Sequence, residues 1–323
     1  MKTLVLNDTH LGIGRRIGTT PKSQLALEEW MFQKFEECLK IPHDRLIIAG
    51  DMYDKRNVPE HVMMRTIQLL QNEDVIILAG NHSLGGNYTD HTLCSEEFIA
   101  NILGISFEKQ PRKIEGNIYL LPHQFNQQAH EEAIQNVPDN CILLAHCNID
   151  SSFAVGDHSL NLSKEEIKIL KEKNVRILAA HEHQQRRYMG VVDVIGNQWP
   201  SSIADCLGNS TKRCAVIEDG EVTFHETWRA ENDYIEIPYT ELKHTDHKFV
   251  RITGECPTAI YSDVVREIAN FRKDSEAFIV ASAVKPEVKE RETIEQEVDQ
   301  FNITQLLLEQ IDETYIEDVK SCL

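Results

Sequence analysis

The chain has 323 residues, 41% of them hydrophobic, and carries 33 basic against 52 acidic side chains for a formal charge of -19. That length predicts one large domain with a smaller one beside it. The acidic balance excludes unaided, charge-driven binding to nucleic acid or an anionic membrane, although a nucleic-acid substrate stays open if divalent metals or a basic partner supply the positive charge.

The eight cysteines form no CxxC pair, and the opening MKTLVLND lacks the regions of a secretion signal. With no run approaching the roughly 18 apolar residues of a membrane span, the expectation is a reduced, soluble, cytoplasmic protein. In chain order, five apolar runs share one design: TLVLND (3–8), RLIIAGD (45–51), VIILAGNH (75–82), CILLAH (141–146) and VRILAAH (175–181). They are rich in Leu and β-branched residues and do not alternate, the mark of strands covered on both faces. Every one stops at Asp, Asn or His.

Helical patterns lie between them. Residues 24–39 place Leu27, Met31 and Phe35 at i, i+4 and i+8. Residues 59–71 have Pro59 in the first turn, then Val62, Ile67 and Leu70. Residues 163–173 open with Ser163 and Glu166 in capping-box spacing. This alternation predicts an α/β fold with a largely parallel sheet. From Arg187 to Thr227 short alternating runs take over, and EDGE at 218–221 signals a hairpin, so antiparallel strands complete a first domain over 1–232. A small α/β unit follows over 233–286, with strands near 234–238 and 248–253, a helix near 261–272 and a strand at AFIVASAV. Residues 287–323 hold eleven acidic and three basic side chains, a net charge of -8. Within them Thr304 can cap a helix bearing Leu307, Ile311 and Tyr315 on one side.

In open α/β sheets ligands bind beyond the carboxyl ends of the strands. The five runs bring Asp8 and His10, Asp51, Asn81 and His82, His146, and His181 and His183 to that edge. Asp8/His10 and His181/His183 are each two apart, so extended backbone aims both members to one side. Imidazole nitrogens mixed with carboxylate and amide oxygens suit Mn, Fe or Zn better than Ca or Mg. Seven such ligands are what two neighbouring ions need if one carboxylate bridges them.

DTH, GD followed by YD, GNH, a strand-end His and HxH, in that order, resemble the calcineurin-like metallophosphoesterases. The resemblance implies a sheet sandwich flanked by helices, with a small α/β capping domain and a C-terminal helical tail. It implies Asp8, His10, Asp51 and His183 around one ion, and Asp51, Asn81, His146 and His181 around the other. His82 would then stand near the scissile phosphate. Within that superfamily DTHLG, GDMYDKRNVPEHV and the layout to about residue 310 look most like SbcD-type DNA exonuclease subunits, including the small subunits of large phages. That implies a nuclease using two divalent ions, Mn2+ foremost with Mg2+, Fe2+ or Zn2+ as alternatives. It also implies a role in DNA end processing, recombination or repair, an SbcC-like coiled-coil ATPase docked by the acidic tail, and a homodimer as an open assembly. A phosphomonoesterase or cyclic-nucleotide phosphodiesterase with the same ligands is the rival reading, and a non-catalytic assembly subunit is a second.

Two departures and several weaker positions complete the sequence reading. Ala180 stands where the family has Gly. Ser83 stands where an acidic residue orients the histidine, a task left to Asp54 or a water. His123, after a strand-like run, is expected at the rim of the site. Arg186 and Arg187 are candidates to meet a DNA backbone. His43, His61, His91, His130, His158, His225, His244 and His247 are expected to be solvated.

Overall fold

The structure is a computed structural model that describes residues 1–14, 18–84, 93–152 and 160–287. The acidic tail beyond 287 and the Gly85–Gly86 stretch after the GNH motif lie outside the described residues. The chain runs through β1 (Lys2–Leu6), α1 (Pro21–Leu39), β2 (Arg45–Ile48), α2 (Glu60–Leu70), β3 (Val75–Leu78), the single turn α3 (Asn81–Leu84) and α4 (Ser95–Leu103). It continues through β4 (Ser106–Glu108), β5 (Arg112–Ile114), β6 (Ile118–Leu121), α5 (Gln127–Gln135), β7 (Ile142–His146) and α6 (Lys164–Glu172).

Local chemistry explains the helix starts. Thr20 accepts from the Ser23 backbone N–H while Ser23 reaches back to Thr20, and Pro21 opens α1 where no donor is needed. Ser163 and Glu166 form the predicted capping box of α6. Pro59 is the residue before α2, one position earlier than predicted, and Glu60 opens the helix.

The strands form two six-stranded sheets, the sandwich that the resemblance implies, where the alternation of runs alone pointed to a single sheet. The first has the order Glu221–Arg229, Thr211–Glu218, β1, β2, β3, β4, and the second Arg186–Tyr188, Val192–Val194, Arg176–Ala180, β7, β6, β5. Pairing among β1 to β4 is parallel, as it is among β6, β7, Arg176–Ala180 and Val192–Val194. Antiparallel strands close three of the four edges, β4 being the parallel exception. Glu218 and Glu221 bracket the predicted hairpin, whose Asp219 and Gly220 both have positive φ (51° and 83°), the geometry that matches strand twist in a two-residue turn.

Three apolar layers follow. Val5, Ile47, Leu78, Leu120, Leu144 and Leu178 fill the space between the sheets. Leu4, Leu6 and Leu46 face outward onto Leu27, Met31 and Phe35 of α1. Leu143 and Ile177 face Ile134 of α5 and Ile167 and Leu170 of α6. Strands covered on both faces explain why their sequences do not alternate.

A further three-stranded parallel sheet, Tyr234–Pro238, Phe249–Thr253 and Ile279–Ser282, packs under the helix Tyr261–Asp274 around Val250, Ile252, Val264 and Ile268. Trp30 of α1 joins it to the large unit, its ring 5.6 Å from each of the Phe249 and Phe278 rings.

Candidate metal centre

Each candidate ligand sits at or just past the end of a buried strand, and four of them hold backbone that L-residues avoid. Asp8, His10, Asp51 and His181 have φ of 48°, 44°, 49° and 89°. Left-handed backbone at non-glycine residues costs about 1 kcal/mol or more each and persists where surroundings over-determine it. Here the loops after β1 and β2 are zipped together: Asp8 N–H donates to Gly50 O at 3.1 Å, His10 N–H to Asp51 O at 3.2 Å and Leu11 N–H to Met52 O at 2.8 Å. Two glycines are obligatory beside them. A Cβ on Gly50 would lie 2.1 Å from His146 Nδ1, and one on Gly80 would lie 2.0 Å from Asp51 Oδ1.

These loops assemble the side chains into overlapping clusters whose ligand atoms lie within 4.8 Å of one another: Asp8, His10 and His183; Asp51, His146 and His181; and His10, Asp54 and His82. Asn81 joins the second, its Oδ1 3.1 Å from His146 Nε2. All seven residues that the sequence nominated as ligands therefore converge. The third grouping was not anticipated and puts Asp54 beside His10, with Asp54 Oδ1 3.8 Å from His10 Nδ1.

The donor set fits divalent ions. Asp8 Oδ2 accepts from the Asn7 amide at 2.6 Å and from His181 N–H at 2.9 Å, whereas its buried Oδ1 has no hydrogen-bond partner. A buried carboxylate oxygen without a donor is costly unless a cation meets it. His146 Nδ1 donates to Ala49 O at 2.8 Å and His183 Nδ1 to Asp205 Oδ1 at 2.8 Å, so both rings turn Nε2 toward the centre. His183 Nε2 lies only 3.0 Å from His10 Nε2. Burial opposes ionisation of Asp51, yet His146 beside it, then His82 and His10, hold its carboxyl well below the usual carboxylate range. The site thus keeps an anion ready.

His82 is oriented by backbone. Its Nδ1 donates to the Asp54 carbonyl at 2.5 Å, which leaves Nε2 as the working atom, 3.9 Å from Asp51 Oδ2. Asp54 performs the expected task through its carbonyl rather than its carboxylate. The His82 backbone N–H donates to Asp51 Oδ1 at 3.0 Å, so ring and ligand are tied at both ends. Ser83 turns inward: its hydroxyl donates to Glu96 Oε2 and accepts from Gly80 N–H at 3.2 Å, and Glu96 Oε1 accepts from Tyr53 N–H at 3.3 Å. Glu96, 2% exposed in the first turn of α4, therefore joins the loop after β2 to the turn after β3. Burial pushes its carboxyl up to about 7.

Glu96 and Asp205 are the two site carboxylates the sequence reading missed. Asp205 also accepts from Ser201 N–H and Oγ at 2.8 and 2.9 Å, while Lys212 Nζ donates to His183 O at 2.8 Å. Both acids stand in the first turns of short helices, where a carboxylate reads as a solvent-facing cap. His123, expected at the rim, is buried beside the centre, its ring 6.2 Å from that of His146. The Arg186 guanidinium pairs with Glu182 at 2.9 Å and donates to Ile149 O at 2.7 Å, whereas the Arg187 side chain is 68% exposed. His130, expected in solvent, is fully buried because it shares the inner face of α5 with Ala133 and Ile134, and neither ring nitrogen has a hydrogen-bond partner.

No helix among the described residues is long and apolar enough to cross a membrane, and the seven described cysteines are free thiols. The family profile described as calcineurin-like phosphoesterase matches residues 1–185. No curated protein matches the chain. Among solved structures the chain is similar to the protein TT1561 of Thermus thermophilus, at 11% identity over 70% of this chain and 99% of that one, with a TM-score of 0.41. It is also similar to a metallophosphoesterase from Sphaerobacter thermophilus, at 13% identity over 71% of this chain and 89% of that one, with a TM-score of 0.32.

Proposed function

The chain belongs to the calcineurin-like phosphoesterase family, and on that premise we propose that it is a two-metal DNA nuclease, the nuclease subunit of an SbcCD-like complex. The observation that carries the hydrolytic part is the convergence of the ligand clusters with His82 Nε2, 3.9 Å from Asp51 Oδ2, at the mouth of the centre. Asp8, His10, Asp51 and His183 would hold one ion, and Asp51, Asn81, His146 and His181 the other. Mn2+ is the ion proposed, since the donors mix imidazole with oxygen. When bound, the ions supply Lewis-acid polarisation of the phosphate and lower the pKa of water.

The chain's own groups do the rest. Asp51 sets the position of His82 through the bond from His82 N–H. With Nδ1 committed to the Asp54 carbonyl, His82 Nε2 is the atom that gives a proton to the departing sugar oxygen and takes one back. The rings of His10 and His82 meet edge to face, their centroids 5.0 Å apart.

The DNA part rests on the order of motifs and on the α/β unit that follows residue 232, which a small-phosphate hydrolase does not need. Arg187, with Arg186 behind it, is proposed to meet backbone phosphates, and the acidic tail to dock the ATPase. The charge of -19 favours the rival reading, a phosphomonoesterase or cyclic-nucleotide phosphodiesterase, because it repels a long polyanion. One experiment separates them. Purified protein with Mn2+ is offered linear duplex DNA, single-stranded DNA, a cyclic nucleotide and p-nitrophenyl phosphate, with and without an SbcC-like ATPase. DNA cleavage is expected; turnover of the small esters alone removes the nuclease reading.

A further inference from the structure

Lys212 is a lysine cut off from solvent, 0% exposed. It stands second in the strand Thr211–Glu218, where the ladder to Glu221–Arg229 shifts register between Lys212 and Arg213. Alternation along that strand puts Lys212 on the same side as Cys214 and Val216, which belong to the apolar layer against α1. An ammonium has a high cost at such depth and persists there only with polar partners.

Its partner is the loop that carries a candidate ligand. Lys212 Nζ donates to His183 O at 2.8 Å, and His183 Nδ1 donates to Asp205 Oδ1 at 2.8 Å. One histidine is therefore held at its peptide by a cation and at its ring by an anion. Burial works against the ammonium and the Asp205 carboxylate works for it, so the two charges support each other. We propose that Lys212 is a positioning residue for the ion assigned to Asp8, His10, Asp51 and His183. By anchoring the His183 carbonyl it holds Nε2 in ligating position before an ion arrives. The proposal deepens the metal-binding reading of the centre and rests on it.

Two further observations support it. Asp8, His10 and Asp51 are buried, whereas the His183 side chain is 28% exposed on the loop past Ala180. His183 is thus the ligand of that ion which packing holds least, and a polar anchor does what apolar contacts do for the others. The same carbonyl also accepts from Asn197 N–H at 3.4 Å. Gly196 makes the approach possible: it has φ of 77°, and a Cβ there would lie 3.0 Å from His183 O. A carbonyl met by two donors from a second segment is fixed in place.

The test is calorimetric titration of the metal-stripped full chain with Mn2+, beside circular dichroism without metal. Lys212→Met keeps an unbranched side chain of similar bulk and removes the donor and the charge. It should weaken one Mn2+ affinity about 10–100-fold and leave the other as in the wild type, with the metal-free fold intact. Should Lys212→Met fail to fold, Lys212→Gln gives the same reading. Two unchanged affinities, an equal loss in both, or loss of the metal-free fold in both variants overturns the proposal. A wild type that binds no Mn2+ removes the metal reading of the centre and this inference with it. A wild type that binds two ions, beside variants that bind them as tightly, removes the positioning role alone.

Discussion

The Ser83 hydroxyl donates to the Glu96 carboxylate, and through Glu96 the turn that presents Asn81 and His82 is bound to the loop that presents Asp51. A serine that looks like a loss in the sequence is half of a buried pair. Ser83→Ala leaves a buried carboxylate oxygen without its donor and should cost about 1–3 kcal/mol. Urea unfolding at pH 8, where Glu96 is charged, measures it. A change within about 0.5 kcal/mol would mean that the pair carries no structural role.

His82→Ala is expected to keep both ions and to lower kcat by about 10²–10⁴-fold, the span of general acid–base contributions. Asp51→Asn is expected to lose metal. Metal content by elemental analysis, set beside turnover of a phosphodiester, checks both; full activity in His82→Ala contradicts the role given to Nε2.

Asp205 acts on the centre through His183. Removing such a carboxylate behind a ligating histidine typically weakens metal affinity 10–100-fold. Asp205→Ala should show that weakening for one ion of the two, because His183 belongs to a single cluster. Titration of metal-stripped protein with Mn2+ reads it, and two unchanged affinities would refute it.

Gly80→Ala should abolish metal binding or folding, since its Cβ would lie 2.4 Å from the Asp51 backbone nitrogen as well as 2.0 Å from Oδ1. Backbone cannot step aside as a flexible side chain can. Gly14→Ala is the contrast, with Lys55 Nζ, a mobile tip, as the nearest atom at 3.4 Å. Circular dichroism and metal content should be altered in the first and normal in the second.

Burial lowers the His130 pKa to about 4 from 6.5. Between those values the unfolded chain binds more protons than the folded one, so this residue's contribution is full above pH 6.5 and is lost as pH falls toward 4. Glu96 works in the opposite sense: its pKa is raised, so its contribution declines as pH rises from about 4.5 to 7. The two offset each other in the wild type. His130→Leu should expose the difference, gaining roughly 2 kcal/mol relative to wild type between pH 7.5 and pH 5. A gap between the two proteins that does not change with pH would count against a buried, neutral His130.

What could be read in advance has a physical pattern. Asp8, Asp51, Asn81, His146 and His181 follow dry strands, where a polar side chain has few other reasons to stand, so their convergence at one edge was legible. The helix starts at Ser163 and Thr20 are local hydrogen-bond chemistry, and the first of them was read from spacing alone. The division of five similar runs between two sheets was not visible in their composition, because strand pairing depends on partners more than a hundred residues away, as for β1 and Thr211–Glu218. Glu96 and Asp205 escaped notice because their partners, Ser83 and His183, are remote in sequence. The Asp54 carbonyl that orients His82 left no trace at all, since backbone acceptors occur at every position.

The clusters draw on both halves of the sandwich. Asp8 and His10 leave the first sheet to meet His183 from the second, and Asp51 from the first meets His146 and His181 from the second. Ions held there would rivet the two sheets together at one end of an otherwise greasy seam. Chelation would then do more than silence a pocket: it would free the layers to slide over one another. Amide protons along β1 and β7 should exchange faster once the rivets are withdrawn.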